Sequence, residues 1–285
     1  MINQIGMNYT KEELERLHLC LYDILKEIRR VCDLLNIKFV MLGGSAIGVY
    51  YWNGIIPFDD DIDIGMERRD YERFLTEAPR LLKEQYFLQW QKTERHYPLF
   101  FAKVRRNNTM YVEELYLDMD IHQGVFVDIM PLDHIPDNSF SRYVQRKLAI
   151  LTNECLVSKE IWRYKWFGKC EIKSPTKASW PSCLLYKFAR AFLSKAIIYK
   201  LLLYIQRFYD NKTTQYSNTI PPYCDLVPNA DLMNLKEVEF GDTRVWVPDH
   251  LDNYLHRHYP SLKKDLTEEE IQAYSHRPVK LKLPG

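Results

Sequence analysis

What this chain lacks narrows its chemistry first. Its 285 residues hold six cysteines, at positions 20, 32, 155, 170, 183 and 224, with no Cys-x-x-Cys pair. Cys20 and Cys32 fall inside a helical pattern, so neither a zinc site nor a disulfide framework is expected, and a reduced, cytoplasmic setting is. No uninterrupted apolar run reaches the ~18 residues that a membrane-crossing helix needs. Met1 to Tyr9 lack a basic stretch followed by an apolar one, so no secretory leader is expected. A basic excess is missing too: the formal charge is +1, which argues against nucleic acid as a partner. There is no Gly-x-x-x-x-Gly-Lys-Ser/Thr and no His-Arg-Asp set, so P-loop enzymes and protein kinases are set aside.

What is present is ordinary in bulk and distinctive in one place. Apolar residues make up 46% and charged residues 27%, as in a globular protein of one large or two small domains. The 20 tyrosines suit stacking on sugars or bases, or equally a Tyr-rich core. The distinctive stretch is 43–66, where Gly43-Gly44-Ser45 precedes an Asn53-Gly54 turn and then Asp59-Asp60-Asp61-Ile62-Asp63-Ile64. Four carboxylates in five positions repel one another and need solvent or a divalent cation. On a strand, residues two apart share a face, so Asp61 and Asp63 converge while Ile62 and Ile64 turn to the core. A solvated, idle acidic loop is the alternative, and it fits Asp59 and Asp60 better than the Asp61/Asp63 pair, whose flanking isoleucines imply burial.

Around this stretch the patterning predicts alternating helices and strands. Thr10 to Glu13 has the form of a capping box ahead of a helix running to Leu35. An apolar strand at 38–42 runs into Gly43, with a helix starting at Ser45 whose free N–H groups favour an anion. Gly48 and Asn53-Gly54 are expected to end that helix early. A helix over 68–83 follows, then strands at 86–91, 99–105 and 109–113, the last two joined as a hairpin through Asn107-Asn108. Gly124 to Pro131 reads as a buried strand whose one charge, Asp128, is the natural third carboxylate of the acidic site. Residues 140–216 read as helical, and 184–205 as a helix packed on the body or lying on a membrane surface. Strands at 236–240 and 243–247, a helix over 249–259 and a charged tail finish the chain.

Carboxylates on adjacent strands beside a phosphate-cradling turn suit transfer at phosphorus, with Mg2+ as the ion for hard oxygen ligands. An Asp-x-Asp glycosyltransferase stays open; the turn upstream of the acids points to a nucleotidyltransferase-type fold. More specifically, the run from Gly44 to Gly48, Gly54-Ile55-Ile56-Pro57-Phe58 through Asp63-Ile64-Gly65-Met66, and Phe101 to Arg105 with Asn108-Thr109 resemble the LicD family. Gly124 to Asp133, Phe240-Gly241-Asp242, Val247-Pro248, Asp252 to Leu255 and Tyr259 extend the resemblance. That family includes bacterial phosphorylcholine transferases and fukutin-related ribitol-phosphate transferases.

The resemblance implies an α/β (α+β) nucleotidyltransferase-like mixed sheet flanked by helices. It divides into a core over 1–138, a helical insert over 139–222 and strands and a helix over 223–285 that complete the same domain. It implies transfer of a phosphocholine-like group from a CDP-linked donor, CDP-choline in the bacterial branch. The acceptor would be a sugar hydroxyl of a lipopolysaccharide, capsule or teichoic-acid type glycan, free or lipid-linked. By position, Asp61, Asp63 and Asp128 would hold one or two Mg2+ (or Mn2+), with Asp59 as an outer ligand or base. Gly43, Gly44 and Ser45 would hold donor phosphate. Lys103 and Arg105 would balance diphosphate charge, or be solvated cations on an edge strand; His122 is expected to be structural or to support a neighbouring site residue first, and catalytic second. Tyr51-Trp52 stands where the family has Arg-His. Two further readings remain: transfer of the nucleotidyl group itself, and a non-catalytic glycan- or nucleotide-binding partner in polymer assembly. The setting expected is cytoplasmic, with contact at the inner membrane surface through 184–205.

Overall fold

The computed structural model describes residues 9–161, 180–221, 223, 225–267 and 277–284. Helix α1 (Lys11–Leu35) opens with both halves of the capping box: Glu13 N–H donates to the Thr10 hydroxyl, and Thr10 N–H donates to the Glu13 carboxylate. Leu17, Leu21, Ile24, Ile28 and Val31 recur every three or four residues and are fully buried, which lays one face of α1 on the core. Asn36, left-handed at φ 50°, ends it.

Strand β1 (Val40–Met41) leads into α2 (Gly43–Trp52), and β2 (Asp63–Glu67) leads directly into α3 (Arg68–Leu81). Then come β3 (Tyr86–Gln89), β4 (Ala102–Arg106), β5 (Met110–Val112), a short 3-10 turn (Glu114–Tyr116) and the long β6 (Phe126–Ile135). The main sheet has the order β1-β2-β6-β4-β3, with β2 and β6 parallel and the other pairs antiparallel. Strand β7 (Tyr216–Asn218) pairs with the far end of β6, and β8 (Leu226–Pro228) with β7. Helices α1 and α3 pack against β6. Val104, Val127, Ile129, Ile62 and Ile64 are 0% exposed and fill the core side of the sheet. This is the expected mixed α/β architecture, with a central sheet, flanking helices and a helical insert.

The insert contains α4 (Ser139–Glu160), α5 (Trp180–Phe192) and α6 (Lys195–Gln206), followed by a 3-10 turn (Arg207–Tyr209). It has a core cluster of its own around Phe100, Leu156, Tyr186, Ile198 and Leu202, bridged to the main core by Met130. One buried carboxylate ties it to the sheet: Asp133 of β6 accepts twice from Arg68 of α3, at 2.6 and 2.7 Å, and once from Gln206 of α6, which is the insert's own bond to it. After α7 (Asn229–Met233), the hairpin β9 (Leu235–Phe240) and β10 (Thr243–Pro248) and helix α8 (Leu251–His258) pack on β1 and α2.

Several local expectations are corrected. Gly48 does not end α2, which continues to Trp52 and is closed by left-handed Asn53. A side chain at Gly48 would stand 2.4 Å from the Gly54 carbonyl, so glycine there allows the loop to fold back on the helix. Strands β4 and β5 form no hairpin with each other. Instead β5 pairs with β11 (Lys280–Lys282), part of the segment read as a charged tail. Segment 184–205 is two helices, because Ser194 caps a new start by accepting from Ile197 N–H. The rest of the expected helical span at 162–179 lies outside the described residues.

Candidate active site

The sheet's pairing brings the acidic residues together. Asp63 is the first residue of β2, and its register partner across the parallel ladder is Asp128 of β6. No strand intervenes, and register partners share a face. Lys103 of β4 is in turn the partner of Asp128. One row across three strands therefore reads Asp63, Asp128, Lys103. Asp61 lies in the loop just before β2 rather than on it, yet its charge reaches Asp128.

Asp128 is buried, and burial pushes its carboxyl up to about 6. Lys103 pulls the other way, its ammonium 2.9 Å from Oδ1 and 3.3 Å from Oδ2, while Asp61 and Glu113 push the value further up. The Lys103 ammonium also lies 3.8 Å from Glu113 and 3.3 Å from the centre of the Phe126 ring. Asp128 thus lies between one buried lysine and the charges of two further carboxylates.

The start of α2 faces this row. Leu42 precedes the helix in extended conformation and provides no side-chain cap, and Gly43 takes φ +53°. A Cβ on Gly43 would lie 3.5 Å from Asp63 Oδ2, and one on Gly44 would lie 2.8 Å from Asp59 Oδ2. Two carboxylates are therefore pressed against a helix N-terminus, where the helix dipole favours negative charge. Ser45 is buried, and its hydroxyl accepts from Asp63 N–H at 2.9 Å, which fixes the start of β2 to α2.

Asp59, Asp60 and Asp61 each place a carboxylate oxygen within 4.8 Å of the others, the one such cluster of three acid, His or Cys groups among the described residues. Asp60 is the anchor of this loop. Its Oδ2 accepts from the hydroxyls of Tyr9 and Tyr111, each at 2.8 Å, and from Arg277 N–H at 3.1 Å. His18 of α1 donates from Nε2 to the Asp59 carbonyl at 2.7 Å. The loop is held from α1, from β5 and from the C-terminal segment at once. Its donor set is entirely hard oxygen, the chemistry that suits Mg2+, and the upward push on Asp128 is what a nearby cation would relieve.

Lys103 and Arg105 are not solvated edge cations. Strand β4 lies inside the sheet, and both residues are about 2% exposed or less. Arg105 donates to the Gln89 side-chain oxygen and to the Gly124 carbonyl, which binds β3 and the start of β6 to β4. His122 fits its structural role: Nδ1 accepts from Gly124 N–H, Nε2 donates to Asn107, and the ring stacks on Phe87. Burial and the Arg105 charge push it down to about 4. Sequence reasoning passed over Glu113 and the anchoring partners of Asp60. Glu113 carries no flanking motif, and the Asp60 partners are distant in sequence.

The family model described as the LicD/FKTN/FKRP nucleotidyltransferase domain matches residues 36–149, which include both Asp63 and Asp128. Lipopolysaccharide cholinephosphotransferase LicD of Haemophilus influenzae is 32% identical over 93 residues, covering 33% of this chain and 31% of that protein. An uncharacterized protein of Rickettsia typhi is 33% identical over 78 residues, 27% of this chain and 25% of its own. One of Rickettsia prowazekii is 40% identical over 52 residues, 18% of this chain and 20% of its own. The chain thus carries a LicD-type domain homology, and it spans less than a third of the length of each of these relatives.

Proposed function

We propose that this chain is a metal-dependent transferase that moves a phospho-alcohol, phosphocholine in the first instance, from a CDP-linked donor to a sugar hydroxyl of a surface glycan. The observation that carries the reading is Asp63 opposite Asp128 beside the uncapped start of α2. Homology over 36–149 to a domain found in a cholinephosphotransferase supports the donor class.

In this reading Asp61, Asp63 and Asp128 hold Mg2+, with Asp59 beside them. A bound Mg2+ would offset diphosphate charge and align the reacting oxygens. The chain's own groups do the rest. The N–H groups at Gly43 and Gly44 receive a phosphate oxygen at the helix start. Ser45 fixes Asp63, and Lys103 keeps Asp128 oriented and partly neutralised. Asp59 accepts the proton of the acceptor hydroxyl, whose oxygen forms a bond to the phosphorus nearest the alcohol. The bond from that phosphorus to the bridging oxygen breaks, and CMP leaves with the electron pair. Residues 1–138 and 223–285 would form the catalytic unit, with 139–222 as an insert on it.

Product analysis tests the reading. With CDP-choline, Mg2+ and a glycan acceptor, CMP release and choline phosphate on the glycan are expected. Pyrophosphate release from a nucleoside triphosphate would assign nucleotidyl transfer instead. Donor binding without turnover on any acceptor would assign a binding partner.

A further inference from the structure

Among the described residues no helix is long and apolar enough to cross a membrane. The insert nevertheless turns apolar side chains outward. Helices α5 and α6 bury one face, through Tyr186, Ala189, Ile198 and Leu202, and leave the other uncovered. On α5 the uncovered stripe is Leu184, Phe188 and Phe192, spaced four residues apart; on α6 it is Ile197, Leu201 and Tyr204. Phe192 is 74% exposed and Tyr204 64%. Isolated exposed apolar residues are ordinary, but stripes at helical spacing on two consecutive helices mark a contact surface.

Charge identifies the occupant. Over 139–160 and 180–212 ten Lys and Arg stand against three Asp and Glu, although the whole chain carries only +1. The acids offset only part of this: two are paired with cations of the same set, which leaves eight Lys and Arg against one buried acid. Glu154 is buried, Glu160 lies 3.3 Å from Lys195, and Asp210 lies 2.7 Å from Arg207. Lys187 and Lys200 are exposed beside the two stripes, and Arg146 and Lys147 are exposed on α4. A second copy of this face would bring like charges together. A surface that is apolar beneath and negative at its rim satisfies both features, and an anionic lipid bilayer has that profile.

We propose that the outer faces of α5 and α6 seat this chain on the surface of an anionic membrane, with the Phe188, Phe192 and Leu201 side chains entering the interfacial layer and Lys187 and Lys200 meeting lipid phosphates. The proposal is independent of the catalytic reading, since it uses no residue of the acidic site.

Co-sedimentation of the full chain with vesicles tests it, using phosphatidylcholine alone and phosphatidylcholine with about one-third phosphatidylglycerol. Binding to the anionic vesicles at low salt is expected, weakened by roughly tenfold or more at high salt, where screening shortens the reach of the lysines. Phe188→Glu with Phe192→Glu should reduce binding about tenfold or more while leaving the melting temperature close to that of the parent, since both side chains are more than half exposed. Lys187→Glu with Lys200→Glu should weaken low-salt binding and flatten its salt dependence. No binding to anionic vesicles at low salt, or equal binding by a folded Phe188→Glu, Phe192→Glu variant, would overturn the proposal. So would a concentration-dependent dimer in light scattering that the same variant dissolves, which would give this face to a second copy.

Discussion

Asp63 and Asp128 are direct register partners on adjacent parallel strands, β2 and β6, although 65 positions separate them in the chain. A parallel pair cannot be joined by a tight turn, and here α3, β3, β4 and β5 intervene. The acidic centre is therefore a product of the completed sheet.

Gly44 tests how tightly the helix start and the acids are fitted. A Cβ there would stand 2.8 Å from Asp59 Oδ2. The backbone at Gly44 can accept alanine, so the expected effect of Gly44→Ala is displacement of the Asp59 carboxylate rather than unfolding. A loss of about tenfold or more in kcat/KM, with a melting temperature close to that of the parent, is expected. Steady-state kinetics beside thermal melts would check it.

Lys103 is the buried counter-charge of Asp128 and Glu113. Lys103→Met leaves those carboxylates uncompensated, with an expected loss of about 3 kcal/mol in unfolding free energy. Mg2+ can replace the missing charge, so its addition should raise the melting temperature of this variant more than that of the parent. Equal Mg2+ shifts in both proteins would separate Lys103 from the metal site.

Tyr111 should act through Asp60. Tyr111→Phe removes one of the three donors to a carboxylate oxygen that is otherwise held by Tyr9 and Arg277. A loss of about 1–2 kcal/mol is expected from chemical denaturation, because the buried acceptor loses a charge-assisted bond.

His122 sets a pH dependence with a definite sign. Its folded-state value is about 4, against an ordinary 6.5. Between these limits the unfolded chain takes up a proton that the folded chain refuses, so stability is full above about 6.5 and falls as pH drops toward 4. Replacement by Gln, which keeps one acceptor and one donor, should flatten that fall. Denaturation midpoints measured across this range for both proteins would show it.

How much of this was legible in the sequence depends on how local the cause is. The capping box at Thr10 and Glu13, the Gly43 turn and the buried isoleucines at 62 and 64 are decided by near neighbours, and the structure has them as the patterning implied. Strand order is not local. Lys103 and Arg105 alternate like residues of a solvated edge, and only the placement of β4 between β3 and β6 makes both buried. Pairing of Lys280–Lys282 with β5 was hidden for the same reason, since backbone hydrogen bonds supply it and side-chain pattern does not. Gly48 misled because glycine both breaks helices and permits close approach; the Gly54 carbonyl decides for the second.

Asp61, Asp63 and Asp128 are proposed to hold a divalent cation on which the binding of a CDP-linked donor depends, and titration calorimetry addresses this most directly. CDP-choline titrated into the full chain should bind with Mg2+ present and lose most of its affinity in chelator, and Asp63→Asn and Asp128→Asn should abolish the Mg2+ effect while leaving a folded protein. Binding of equal strength with and without Mg2+, unchanged in Asp63→Asn, would contradict the account.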